Sequence, residues 1–173
     1  MLTTQTGFPP ILGVAPRLLI LGSVPGERSL ALQQYYAHPQ NSFWWLFAHS
    51  LSIDWSSFAS LPYAEKVVAV KSSQIALWDV LCSCRRKGSL DSNIERGTEV
   101  YNDLEALISE HQTIKALLFN GKKARALFDR QFANSSLLSD LERVDLPSSS
   151  PAYAAMKKSA KLSIWQSAIR RFN

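Results

Sequence analysis

The segment Gln34-Tyr-Tyr-Ala-His-Pro-Gln-Asn-Ser-Phe-Trp-Trp45 holds the densest chemistry in the chain. Tyr36 offers a flat wall for a planar base, and stacking on an extruded base is worth about 1–3 kcal/mol. Asn41 carries a neutral amide whose carbonyl can orient a water while its nitrogen donates. In a structural role it would cap a helix beginning at Ser42. His38 reads as a catalyst or, more commonly, a satisfied structural histidine, and Phe43 and Trp44 fit core packing. In Gly22-Ser-Val-Pro-Gly-Glu-Arg-Ser29, Gly and Pro after an apolar run let backbone amides approach a phosphate or sugar, or simply turn strand into helix. Its spacing is neither that of a nucleotide P-loop nor of a dinucleotide fingerprint. Leu146-Pro-Ser-Ser-Ser-Pro151 holds three hydroxyls between prolines, a rigid loop suited to phosphates and a groove. It also suits a helix start, with Ser150 as N-cap and Pro151 first in the helix. Arg85, Arg86, Lys87, Lys122, Lys123, Lys157, Lys158 and Lys161 flank these loops, and each taken singly reads as a solvated surface charge.

The elements that must position these residues alternate between strand and helix patterns. Arg17–Leu21 is a continuous apolar run ended by Gly22, as in a strand buried on both faces. Ile75–Leu81, Ile114–Phe119 and Leu141–Leu146 are further strand candidates. Helical patterns cover Ser42–Leu51, Asn102–Glu110 and Lys122–Phe132, and a last helix carries Leu162, Trp165, Ile169 and Phe172. Such alternation implies βαβ units and an α/β fold with a mainly parallel central sheet of about four strands. The segments after the strands are Gly22–Gly26, Ser83–Gly88, Asn120–Lys123 and Pro147–Pro151. All four are expected at one carboxyl edge, where open α/β sheets bind ligands. Residues 1–16, with three prolines, read as an irregular surface segment.

The chain has 173 residues, enough for one substantial core. With 46% apolar and 19% charged residues, it lacks the composition of a disordered chain. Seven Gly and eight Pro exclude a collagen-like or low-complexity sequence. The net charge of +5 favours a polyanion partner. Cys82 and Cys84 are too close for an ordinary disulfide framework and too few for a four-cysteine metal or iron–sulfur site, which suggests a reducing compartment. The first charged side chain is Arg17, so no positive secretory signal region is present. No apolar run approaches the roughly 20 residues of a membrane helix. The expectation is a cytoplasmic protein with no membrane partner.

Six blocks resemble the uracil-DNA glycosylase superfamily, most closely its hypoxanthine-DNA glycosylase branch, which acts on deoxyinosine. They are Leu-Gly-Ser-Val-Pro-Gly from Leu21, Tyr-Tyr-Ala-His-Pro-Gln-Asn-Ser-Phe-Trp from Tyr35 and Leu-Trp-Asp-Val-Leu from Leu77. Gly-Ser-Leu-Asp-Ser-Asn-Ile from Gly88, Phe-Asn-Gly-Lys-Lys-Ala from Phe119 and Leu-Pro-Ser-Ser-Ser-Pro-Ala from Leu146 complete the set. The resemblance implies a three-layer α/β/α sandwich, one glycosylase domain over residues 1–173, a monomer, and activity without metal or other cofactor. It gives Asn41 the attacking water, a role held in mismatch-type relatives by a first-loop Asn where this chain has Val24. It gives Tyr36 the stacked base, and it places Ser23, Val24, Pro25, Gly26, His38 and Asn120 around that base. Ser148, Ser149, Ser150, Arg85, Lys122 and Lys123 would meet DNA. In the branch the last block usually reads Ser-Thr-Ser-Pro-Ala-Asn; here Ser149 and Tyr153 replace the Thr and the Asn.

The implied reaction hydrolyses the N-glycosidic bond of a deaminated base in DNA and leaves an abasic site. If a proton must be abstracted, Asp79 or Asp91 could take it, whereas a covalent lyase route would need an amine such as Lys122. The alternatives are excision of uracil, an inactive lesion-binding module, or an enzyme acting on free nucleotides.

Overall fold

The computed structural model describes residues 3–172. In chain order the elements are β1 (Thr3–Thr6), β2 (Leu18–Gly22), α1 (Glu27–Leu32), α2 (Phe43–Ser50), α3 (Trp55–Phe58), α4 (Tyr63–Ser72), β3 (Ile75–Asp79) and β4 (Leu81–Arg86). There follow β5 (Val100–Tyr101), α5 (Leu104–Glu110), β6 (Ala116–Asn120), α6 (Lys122–Phe132), α7 (Ser136–Ser139), β7 (Glu142–Leu146) and α8 (Lys158–Arg170).

Four parallel strands in the order β3-β2-β6-β7 form the central sheet. Residues of β2 alternate between its two faces, as strand geometry requires. Leu18 and Ile20 pack with Phe43, Phe47, Val70, Trp165 and Ile169, from α2, α4 and α8. Leu19 and Leu21 pack with Leu104, Ile108, Leu127, Phe128 and Leu138, from α5, α6 and α7. Helices on both faces of a parallel sheet make the three-layer α/β/α sandwich. Because β3 and β6 flank β2 on opposite sides, the strand order reverses beside β2. The crevice outside the carboxyl ends of β2 and β6 is therefore the place for a ligand.

A second sheet, in the order β1-β4-β5, is antiparallel and corrects three expectations. The run read as one strand over Ile75–Leu81 leaves the parallel sheet at Val80. Ser83–Gly88, expected as a loop, is mostly strand β4. Residues 1–16 are not a loose surface stretch, although Met1 and Leu2 lie outside the described residues. Thr3–Thr6 pair with Ser83–Arg86, Gly7 N–H donates to the Cys82 carbonyl, and Ile11 and Leu77 exchange two backbone hydrogen bonds. Trp78 Nε1 adds a bond to the Phe8 carbonyl at 3.0 Å. Pro151 opens a turn rather than a helix, and α8 starts at Lys158. Among the described residues, no helix is long and apolar enough to cross a membrane.

Candidate active site

A cavity of about 150 Å³ lies at the carboxyl edge of the parallel sheet. Space of that size accepts a benzene-sized ring. It brings together Asn41 with Tyr36, Ser23, Val24, Pro25, Gly26, His38 and Asn120, and the loop residues Ser148, Ser149 and Ser150 close one side. Gly22, Asp79, Ser89 and Asp91 complete the inner wall.

Tyr36 sits in a left-handed backbone conformation with φ 55°. That is costly for a bulky residue, and such strain clusters at functional sites. Phe43 covers one face of its ring, with centroids 3.7 Å apart and planes within 11°. Phe43 in turn is fixed edge-on against Trp44 and Trp165, so the stacking wall is built on the core. Burial, with the Asp79 charge adding to it, raises the Tyr36 phenol above its ordinary value, against the Asn120 amide nearby. The group stays a neutral hydroxyl.

Asp79 ends β3 with 4% exposure. Burial and the neighbouring Asp91 push its carboxyl up to about 8, with Arg86 acting in the opposite direction. Neither Asp79 Oδ2 nor Tyr36 Oη finds a hydrogen-bond partner among the described residues. Both crowd the same spot: a Cβ at Gly22 would lie 2.3 Å from Asp79 Oδ1 and 3.3 Å from Tyr36 Oη. Buried polar atoms are nearly always paired, so two orphans on neighbouring side chains set this wall of the cavity apart from the rest of the core.

Asn41 stands just before α2. Its Oδ1 accepts from Phe43 N–H at 2.9 Å, a local turn bond, while Ser42 takes the N-cap position without a side-chain bond. A carbonyl oxygen has two lone pairs, so one remains, together with the Nδ2 donors, for the cavity it lines. His38 is exposed, and its Nδ1 accepts from Gln40 N–H. Val24 is 7% exposed and joins the core, so the first loop brings no side-chain amide to this position.

The serine loop is tied down along its length. Trp165 Nε1 donates to the Pro147 carbonyl, and Lys161 Nζ donates to the carbonyls of Ser148 and Tyr153, both at 2.8 Å. Ser149, assigned to DNA by the resemblance, is 1% exposed. It gives its N–H to Asn120 Oδ1, accepts Asn120 Nδ2 at its hydroxyl, and accepts Ser42 N–H at its carbonyl. Ser149 and Asn120 thus hold each other and shape the loop from behind. Ser148 and Ser150 are half-buried and face both the cavity and a neighbouring hollow that Lys122 and Lys123 line. Arg85 lies apart on β4, 3.3 Å from Glu95. Two cations read as solvated surface charges are buried: Lys161, at 5% exposure, and Arg86, at 0%. Among the described residues, no three His, Cys, Asp or Glu side chains gather to hold a metal ion.

Of this inner wall, Asp79 and Asp91 are the two carboxylates the sequence offers as proton acceptors, and Gly22 and Ser89 fall within the blocks that carry the resemblance; nothing in the sequence sets the four side by side.

Comparison with known proteins agrees with the fold. The family model described as the uracil DNA glycosylase superfamily matches residues 9–170. A hypoxanthine DNA glycosylase of Methanosarcina acetivorans is 38% identical over 120 residues, covering 69% of this chain and 73% of that protein. Its counterpart in Methanosarcina barkeri matches over the same shares. The solution NMR structure of a Methanosarcina acetivorans protein assigned to the uracil DNA glycosylases superposes with a TM-score of 0.80 and 32% identity, covering 98% of this chain and 99% of that one. The chain belongs to the uracil DNA glycosylase superfamily.

Proposed function

We propose that this DNA glycosylase releases hypoxanthine from deoxyinosine in DNA by hydrolysis, leaving an abasic site, and acts as a monomer in the cytoplasm without metal or lyase chemistry. The observation that carries the reading is the cavity itself, sized for a ring, walled by Tyr36 on its Phe43 support and by Asp79, and rimmed by Asn41. The names of the Methanosarcina relatives support the choice of base.

The target base must leave the stack, at a cost of a few kcal/mol that is least for mismatched or deaminated bases. Tyr36, backed by Phe43, then receives its flat face. Hypoxanthine presents a carbonyl oxygen next to an N–H. Asp79, protonated at pH 7, can donate to that oxygen and accept from that N–H. Breaking the bond leaves negative charge on the base and positive charge on the sugar, and donors already in place lower the barrier without reorganising. Asn41 orients the water. An amide does not take up a proton near neutral pH, so its contribution is placement, where a misplacement of about 1 Å can cost a hundredfold. Ser148, Ser150, Lys122 and Lys123 are assigned to the phosphates beside the lesion.

The test is base release from duplexes carrying one deoxyinosine or one uracil, read as alkali-sensitive strand breaks. Wild type is expected to cleave the inosine strand, and Asn41→Ala to be slower by about a hundredfold or more. Cleavage of uracil alone would replace the substrate. Salt-sensitive binding without cleavage of either would favour a lesion-binding module, the reading that the apolar Val24 supports. Breaks without alkali, or an adduct trapped by borohydride, would overturn the purely hydrolytic route.

A further inference from the structure

We propose that Arg86, propped by Gln5 of the N-terminal strand, is a positioning residue that holds the Ser23–Gly26 turn in the shape that meets the flipped base. The inference rests on the glycosylase reading above.

Three carbonyls of the turn are held from outside. Val80 N–H binds the Gly22 carbonyl and Leu81 N–H binds that of Ser23, at 2.9 and 3.0 Å, so the junction of β3 and β4 fixes the first half. The third carbonyl, of Pro25, is taken by Arg86 Nη2 at 2.6 Å. The guanidinium also reaches the turn by a second route: Nη1 donates to Asp91 Oδ1 at 3.2 Å, and the same oxygen accepts the Ser23 hydroxyl at 2.8 Å. Behind it, Nε and Nη2 donate to Gln5 Oε1 at 2.9 and 2.5 Å, and Nη1 approaches the Ser89 carbonyl at 3.3 Å. Gln5 is itself anchored, its Nε2 donating to the Gly88 carbonyl at 3.1 Å.

Arginine has five N–H donors in a rigid fork, and these five contacts use them all. Lysine has a single ammonium and cannot span Gln5, Pro25 and Asp91 together. Arg86 is wholly buried, and among the described residues Asp91 is the carboxylate that pairs with it, at 3.2 Å. Taking a cation out of water is expensive, and an apolar side chain of similar volume often gives equal or greater stability. What the guanidinium adds is geometry: one planar group sets β1, the turn and residues 89–91 against one another at the cavity wall.

The experiment compares Arg86→Lys, Arg86→Ala, Gln5→Leu and Gln5→Glu with wild type. Three quantities are read: single-turnover excision of deoxyinosine, affinity for the lesion duplex, and amide hydrogen exchange at Leu81 and Leu30, whose N–H groups bind the Ser23 and Gly26 carbonyls. Arg86→Lys is expected to slow excision about a hundredfold while affinity changes less than about threefold. Gln5→Leu slows it about tenfold, and Gln5→Glu, which keeps the acceptor for Arg86 but loses the donor to the Gly88 carbonyl, falls between Gln5→Leu and wild type. Millimolar guanidinium restores Arg86→Ala and leaves wild type unchanged. Exchange at Leu81 and Leu30 quickens in Arg86→Lys, whereas amides of β2 are unaffected.

Wild-type rates in both Arg86→Lys and Gln5→Leu would overturn the inference, as would rate losses that only track the unfolded fraction. If wild type releases no base, the glycosylase reading fails, and exchange then decides: unchanged protection at Leu81 and Leu30 in Arg86→Lys overturns the positioning role by itself.

Discussion

Asp79 shows how one buried side chain sets the pH behaviour of a site. The groups facing it are Asp91, Arg86, Tyr35 and Tyr36, and burial dominates them all. As a neutral donor it requires its proton, so excision is expected to fall as pH rises through about 8. Asp79→Asn offers a donor and an acceptor that do not titrate. It is expected to keep activity within about tenfold at neutral pH and to lose the alkaline limb. Activity that instead rises through that pH, and disappears in Asp79→Asn, would make Asp79 a base. The same shift acts on folding. Its folded value lies above the unfolded one of about 3.9, so the folded chain keeps the proton longer. Stability therefore declines from about pH 4 to about pH 8, by at most about 1.4 kcal/mol per pH unit. Melting curves of Asp79→Asn and wild type should converge near pH 4 and separate toward pH 8, the variant melting higher. Gly22 is the steric counterpart. Its substitution by Ala places a Cβ 2.3 Å from Asp79 Oδ1, and overpacking of this kind costs about 1–3 kcal/mol. Expected are a lower melting temperature and a displaced acid, with excision slowed about a hundredfold.

Among the elements, those legible from sequence bury a continuous or periodic apolar pattern. All five residues of β2 are buried, β6 is nearly so, and Ala124, Leu127 and Phe128 mark the inner face of α6. The antiparallel sheet escaped because its strands are largely polar and its two outer ones, β1 and β5, are short. Thr3–Thr6 shows one buried residue, and that residue is Gln5. Arg86 looks like any surface cation until Gln5, 81 positions away, and the Pro25 carbonyl are brought to it. Sequence patterns report local periodicity, and nothing local announces a partner that far off. For the site, the residues flanking Gly, Pro and aromatic text were legible as a set. How the serine loop divides between support and surface was not, since Ser149 and Ser150 are alike as letters. Lys161 tests this division at the level of the loop. Lys161→Met removes two hydrogen bonds from a buried ammonium, a loss of about 1–3 kcal/mol for each bond to a charged group. It is expected to lower the melting temperature and weaken lesion binding while leaving the excision rate of bound substrate within about threefold.

For the whole molecule, charge and edges decide what approaches. With Lys122 and Lys123 on the phosphates, as proposed above, binding is expected to be salt-dependent, since each neutralised phosphate releases counterions. Replacing both by Gln is expected to reduce the slope of log affinity against log salt by about 2, measured by titration of a duplex at several salt concentrations. The sheet edges admit a different visitor. An exposed strand edge is a template for another strand, and Ile75–Asp79, almost wholly apolar, would be a strong one. Ile11 covers it through two backbone bonds to Leu77. At the opposite edge β7 carries Glu142, Arg143 and Asp145, charges that discourage a stacked copy. The short bridge at Ile11 is thus a guard against self-assembly. A chain begun after Gly13 would bare β3 and lose protein to insoluble aggregate during expression and concentration, whatever remained of its chemistry.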